Sequence, residues 1–365
     1  MYYKERIIGA LTYGGLLLLF AFLVKSKKRS PKKVLLIYAI LLSVLAYFYI
    51  PNPGYDLERI YITLEQYYKP MNSYMLFELL GRSYTPTINI FYYLISKTNH
   101  FGIAPFTVSM IFYTCIFSIF SDVCEKNNIE GGKRSLFLIF VMSLGTYLEV
   151  ITNIRCMTAF AMITYCVYSE VFNKKSFIKH IPIYFLAGTV HLAALAMIIV
   201  RIAIYPLQKR RWKLFYALLP LSILGLIYIF YPDFINQIFF TESYYKEHVT
   251  YTYLPEFILM SIMTIYIVFI KIIHWKSLMT DGAIKFVNFF TFILLAIIVL
   301  NVGEYSMFHR IGTFHFLMNI PIMGKYLSLL KKRSGVTLMF FISAIVLFIA
   351  ATYGNLCGFK YFIFN

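Results

Sequence analysis

The chain has 365 residues, of which 60% are hydrophobic and only 14% charged, against about 25% charged in an ordinary soluble domain. Apolar runs able to cross a hydrocarbon core of about 30 Å recur along its whole length, so a soluble enzyme is excluded and the expectation is an all-α, polytopic integral membrane protein with a single transmembrane domain over residues 1–365. The net charge of +18 does not point to nucleic acid, because 22 of the 34 Lys and Arg fall in six short loops, the pattern of cytoplasmic loops under the positive-inside rule.

Those loops are Lys25–Lys33, Asp122–Arg134, Phe172–His180, Leu207–Lys213, Lys271–Lys285 and Lys331–Arg333. The first apolar run, Ile7–Val24, lacks a small-x-small cleavage site and ends on basic residues, so it reads as an uncleaved span rather than a signal peptide. With the next loop inside, the second span, Val34–Ile50, exits to the outer face. Residues 51–100 follow, too polar to span, rich in tyrosine and punctuated by prolines. They are expected to form an external layer of short interfacial helices. In that layer the stretch PNPGYDLERIYITLEQY holds Asp56, Glu58, Arg59 and Glu65. Asp56 and Arg59, three apart, share a helix face and are spaced to pair. Asp56-x-Glu58 is spaced like the acidic metal motif of some lipid-phosphate-dependent glycosyltransferases, and equally like the solvated first turn of a helix. Arg82, in LLGRSYTP, is a weaker candidate cation on the same side.

Spans are then expected at Phe101–Ser121, Ser135–Thr152 and Cys156–Val171. Arg155 stands between the last two, in ITNIRCMTAF. A charge at mid-membrane depth costs roughly 3 kcal/mol on insertion scales. At the external end of a helix a guanidinium is also a fixed, forked clamp for phosphate. The plainer readings are that Arg155 snorkels to the interface or pairs with Glu149. Six residues apart, those two lie about 240° round a continuous helix, so pairing needs a turn at Thr152–Asn153.

The segment Ile181–Pro206 lies between two basic loops and must therefore cross an even number of times. Its 26 residues are too few for two full spans. A broken or re-entrant helical hairpin, with Gly188–His191 near its tip, satisfies both constraints; the alternative is one long helix with a basic loop on the wrong side. Irregular backbone at that depth has to be buried in protein or line a wet cavity. His191 is thus either a general base working near neutral pH or a core histidine bonded to a backbone carbonyl.

The remaining spans are expected at Leu214–Tyr231, Phe257–Ile273, Ile284–Val302, Ile311–Leu330 and Val336–Tyr353, which gives ten to twelve in all. Pro232–Glu256 and the turn Gly303–Arg310 fall outside. The turn, GEYSMFHRIG, offers Glu304, His309 and Arg310, with Arg310 as a second cationic arm for a diphosphate or as an interfacial anchor. The five cysteines have neither metal spacing nor paired external positions. Gly-rich phosphate loops, HExxH and GxSxG are absent, so ATP-driven transport and zinc chemistry have no support.

Three patches carry a family resemblance. The stretch IRCMTAFAMITYCVYSEVFNKKSFIKHIPIYFLAGTVHLAALAMI resembles the core of the EpsG family of bacterial exopolysaccharide proteins, which are similar to Wzy-type repeat-unit polymerases. GYDLERIY resembles that family's Gly-x-Asp-x-x-x-Tyr element after the second span, and HRIGTFHFLMNIPIM its arginine-led helix near the C-terminal end. Cys156 stands where the family commonly has Gln.

The resemblance implies a membrane glycosyltransferase related to the C-type fold, joining repeat units carried on undecaprenyl diphosphate at the outer face of the cytoplasmic membrane. It also implies work alongside other polysaccharide-assembly proteins such as a chain-length regulator. Arg155 and Arg310 are the candidates to hold the diphosphate, with Arg59, Arg82, His309 and Glu304 as further glycan or diphosphate contacts. His191 and Asp56 are the candidates to activate the acceptor hydroxyl. No cofactor and no metal is expected, the arginines standing in for a cation, and direct attack would invert the anomeric carbon. The rival readings are a lipid-linked oligosaccharide flippase or other transporter, a polysaccharide acyltransferase with His191 as base, and a non-catalytic scaffold.

Overall fold

Long apolar stretches without internal breakers favour helix, and the computed structural model of the chain is built almost wholly from helices. It describes residues 2–26, 30–51, 56–208, 254–300, 305–330, 333–353 and 360–361. The span expected at Leu214–Tyr231, nearly all of Pro232–Glu256, and Glu304 lie outside the described residues.

Helices α1 (Tyr2–Lys25) and α2 (Pro31–Tyr47) open the chain. The second stops three residues short of the expected boundary: Tyr49–Ile50 pairs antiparallel with Lys360–Tyr361, a two-residue departure from an all-helical chain. Residues 56–98 form the expected run of short helices, α3 (Asp56–Thr63) continued by a π-helical turn (Leu64–Tyr68), α4 (Ser73–Arg82) and α5 (Pro86–Thr98). Lys97 fastens this layer by donating to the carbonyls of Tyr68, Lys69 and Met71 at 3.3, 2.8 and 2.6 Å, satisfying acceptors that the end of the π-turn would otherwise leave open.

The axis of the bundle is α6 (Ile103–Lys126), packed against α2 and against α9 (Ile154–Phe172). Among the described residues it is the one helix long and apolar enough to cross a membrane; several others are apolar but shorter. The expected span Ser135–Thr152 is two helices, α7 (Gly131–Leu144) and α8 (Tyr147–Thr152). The chain is extended at Gly145, and Thr146 then caps α8 by accepting from the Glu149 amide at 3.4 Å. Side-chain capping of this kind favours a new helix start over continuation.

The segment after α9 folds as α10 (Ile181–Val190) and α11 (Leu192–Gln208), with His191 in extended backbone between them at φ −149° and ψ 125°. The two helices turn back on each other. A Cβ on Gly188 would meet Leu195 Cδ2 at 2.6 Å and Ile198 Cδ1 at 3.8 Å, a contact across ten residues that a continuous helix rules out. At the open end, the Phe177 ring touches Tyr184 of α10 and Tyr205 of α11, with centroids 5.5 and 6.0 Å away. Both arms are tied to one carboxylate: Glu170 of α9 accepts from Tyr184 Oη at 2.9 Å and from Arg201 Nη2 at 2.7 Å, with His180 Nδ1 at 3.3 Å. Arg201 is fully buried and lies over the rings of Tyr205 and Phe286.

The C-terminal half adds α12 (Leu254–Ile273), the single turn α13 (Trp275–Leu278), α14 (Gly282–Leu300), α15 (Tyr305–Met318), α16 (Ile320–Leu329) and α17 (Arg333–Tyr353). The expected span Ile311–Leu330 is therefore interrupted at Asn319, where Pro321 opens a new helix. The same break puts Arg310 inside α15 rather than in a turn before it. Large apolar side chains stay exposed around the bundle, among them Phe22 at 70%, Phe185 at 67% and Ile265 at 68%.

Candidate functional site

Arg155 sits in the first turn of α9, exposed, with no hydrogen bond or ion pair among the described residues. Asn153 caps that helix without a side-chain hydrogen bond, so open backbone N–H groups and the positive end of the helix dipole lie beside the guanidinium. Two sources of positive potential here reinforce each other instead of cancelling. Glu149, the partner weighed for Arg155 from the sequence, is turned elsewhere: its Oε1 accepts from Thr313 Oγ1 at 2.9 Å and lies 3.3 Å from His309 Nε2.

Those contacts bring α15 to the start of α9. On α15, His309 and Thr313 are one turn apart and share a face, and the next residue after His309 is Arg310. The charges of Arg310, Glu149, Arg155 and Asp56 all act on the Cys156 thiol, and those of Arg310 and Arg155 act on the His191 ring. The hairpin tip thus meets the same place. His191 packs its ring against Phe160 of α9 at 6.2 Å, and Phe160 in turn packs on Phe314 of α15 at 5.3 Å. His191 Nε2 is buried and has no hydrogen-bond partner among the described residues, a deficit that ordinarily costs about 1–3 kcal/mol.

The layer of short helices α3–α5 lies near Arg155, whose charge acts on Tyr68 and Tyr92. Asp56 and Arg59 pair at 3.3 Å, both about half exposed. Tyr68 donates to Asn89 Oδ1 at 2.8 Å and meets the Tyr92 ring edge-on at 5.7 Å. Burial pushes the Tyr68 hydroxyl up to about 12, with the neighbouring Tyr67 adding to the shift and the Arg155 charge opposing it. Burial likewise raises Tyr92 above its usual range, again against Arg155, and its hydroxyl has no partner. Thr87 of α5 and Thr189 of α10, 2.8 Å apart, tie this layer to the hairpin.

Of the residues singled out from sequence, Arg155, Arg310, His191, Asp56 and His309 are brought together, and Arg59 lies at the edge through Asp56. Glu65 is paired with Lys69 at 2.6 Å along its own helix. Arg82 is not part of the group: its side chain is 79% exposed and bonded to Glu78 at 2.8 Å. Glu149, Thr313, Tyr68 and Tyr92 were not anticipated as site residues. A signal for Glu149 was present, since Thr146-x-x-Glu149 is a helix-start pattern. Nothing in the sequence marks these two tyrosines among 32. Among the described residues no group of three or more His, Cys, Asp or Glu is placed to hold a metal, and Cys115, Cys124, Cys156 and Cys166 are free.

The fold and this group of residues define a helical protein with apolar helices and a cluster of cations at one end of its bundle. The model of the EpsG family matches residues 34–364, and the chain belongs to that family. Membership points to a polysaccharide-related membrane protein. No curated protein and no solved structure matches the chain.

Proposed function

We propose that this protein is a multi-pass glycosyltransferase of the bacterial cytoplasmic membrane. It joins undecaprenyl-diphosphate-linked oligosaccharide repeat units into a surface or extracellular polysaccharide at the outer face. The observation that carries this reading is that α9, which holds Arg155 in its first turn, packs through Phe160 both on the His191 ring at the hairpin tip and on Phe314 of α15, the helix that carries Arg310. An anionic leaving group needs fixed positive charge that is already in position before reaction, and two guanidiniums beside an open helix N-terminus supply it without a metal.

The apolar side chains left exposed on α1, α10 and α12 support lipid surroundings, and the grouping of basic residues in short loops supports an outward-facing site. The acceptor hydroxyl attacks the anomeric carbon from the side opposite the diphosphate, so the configuration inverts. The glycosidic C–O bond forms as the bond between the anomeric carbon and the diphosphate oxygen breaks, and the electron pair leaves on that oxygen, held by Arg155 and Arg310. His191 and Asp56 contact the acceptor sugar, and Tyr68 and Tyr92 bound the space in which it lies.

Purified protein in lipid bilayers, given the cognate undecaprenyl-diphosphate unit, is expected to make a ladder of longer glycans without added nucleotide or metal. Arg155→Ala and His191→Ala should each abolish or strongly shorten it. An unchanged ladder in both variants defeats the assignment of roles, and no ladder from the native protein returns the transporter reading.

A further inference from the structure

The acceptor hydroxyl must lose a proton as it attacks, and besides Glu149, whose Oε1 already accepts from Thr313 and faces His309, Asp56, His191 and His309 are chemically able to receive it. Asp56 is already engaged by Arg59 at 3.3 Å and is half exposed. A proton on His191 would add a third positive charge near Arg155 and Arg310, with no carboxylate bonded to the ring among the described residues. His309 differs from both, because its Nε2 lies 3.3 Å from Glu149 Oε1. Protonating it creates an imidazolium already facing a carboxylate, so the local charge is balanced and the arginines keep their hold on the leaving group.

Glu149 is itself held in place. Its amide is the group that Thr146 caps, and its Oε1 also accepts from Thr313 at 2.9 Å. The carboxylate is therefore braced by α8 on one side and α15 on the other. This matches the general pattern of a base oriented by a third group. His309 and Arg310 are adjacent on one helix, so a single rigid element carries both the proton acceptor and an arm of the leaving-group clamp.

We infer that His309, backed by Glu149, is the general base of the proposed glycosyl transfer, with His191 contacting substrate rather than taking the proton. The inference rests on the glycosyltransferase reading above. In the step, the hydroxyl oxygen bonds to the anomeric carbon, its proton passes to Nδ1 of His309, and the bond to the diphosphate breaks with its electron pair. Nε2–H stays directed at Glu149. The proton later leaves to water or to the released diphosphate, returning the dyad to its starting state.

The test compares the native protein with His309→Gln and Glu149→Gln in lipid bilayers, measuring initial elongation rates against donor concentration. Loss of a general base costs roughly 10²- to 10⁴-fold in turnover. His309→Gln is expected to fall within that range while half-saturation by the donor changes little. Glu149→Gln keeps an acceptor for Thr313 but loses the charge, so a merely structural Glu149 predicts near-native turnover in it. The inference is overturned if Glu149→Gln turns over like the native protein, or if the His309→Gln defect lies wholly in donor half-saturation. Retained donor affinity in both variants separates a lost base from a lost fold. A native protein that elongates nothing overturns the glycosyltransferase reading itself, whereas native activity with indifferent variants overturns only the base.

Discussion

The tie between Glu170 and the two arms of the α10–α11 hairpin makes a quantitative prediction. Glu170 is 3% exposed and Arg201 0%, and the carboxylate takes Arg201 Nη2 at 2.7 Å, Tyr184 Oη at 2.9 Å and His180 Nδ1 at 3.3 Å. Glu170→Ala leaves a buried guanidinium without this carboxylate and loosens two further donors. Removing one partner of a buried pair typically costs about 3–5 kcal/mol. Replacing both charges, as in Glu170→Leu with Arg201→Met, removes the stranded charge and should recover most of that loss, because apolar replacements of buried pairs are often neutral. The assay is thermal or denaturant unfolding of the detergent-purified protein, read by the amount that stays monodisperse, with the single variants and the pair compared under one condition. The reasoning fails if Glu170→Ala costs under about 1 kcal/mol, the scale of a surface pair, or if the double variant is no better than the single.

Other expectations separate structural from functional roles. Arg155→Lys keeps the charge but loses the planar fork, so donor affinity should fall at least about tenfold, as expected where bidentate recognition matters; direct donor binding is the measurement. Arg82→Ala should leave the glycan ladder at native length, since that side chain is exposed and paired with Glu78 on its own helix. Asp56→Asn should lower stability by no more than about 1 kcal/mol, as for an exposed pair, so a large fall in elongation rate with unchanged unfolding assigns Asp56 to substrate. For Tyr68 the folded hydroxyl ionises at about 12 rather than at 10.0. Its protonated form therefore contributes stability fully below about pH 10, and that contribution is lost as pH rises toward 12. Alkaline titration followed by tyrosinate absorbance should show several late-ionising groups, with one fewer in Tyr68→Phe.

Much of the helical layout follows from hydrophobic runs alone, because an apolar segment of some 18 residues has few other ways to satisfy its backbone. Where the reading stopped short, the cause is local geometry that hydropathy does not report. The run Ser135–Thr152 is continuous in apolarity, yet it breaks at Gly145 because Thr146 offers a cap to the Glu149 amide. The run Ile311–Leu330 breaks where Pro321 cannot donate to the preceding turn. The pairing of Tyr49–Ile50 with Lys360–Tyr361 joins residues more than 300 apart in sequence, far beyond any local pattern. The Asp56–Arg59 pair was legible for the opposite reason, since three-residue spacing on a helix fixes the contact. Which external cations would meet was not legible at all: Arg82 and Arg310 look alike as isolated basic residues, and only tertiary packing tells them apart.

Two arginines, Arg155 at the start of α9 and Arg201 on the α11 arm of the hairpin, make the distinction sharpest. Arg155 stands between apolar runs in the sequence, yet its side chain is exposed, and the buried arginine is Arg201. Arg201 meets the cost by pairing with Glu170 and lying over two aromatic rings. That arrangement leaves little reason for a ligand to compete. Arg155 has the reverse character: it is exposed, it has no ion pair among the described residues, and a helix start without a side-chain cap lies beside it. A carboxylate turned to Arg155 would offset its charge, and Glu149 is the one at hand. Its Oε1 instead accepts from Thr313 and faces His309. A cation cluster with no carboxylate paired to Arg155 is what a site needs if the missing negative charge arrives with the substrate, and it leaves Glu149 to serve the proton rather than the phosphate.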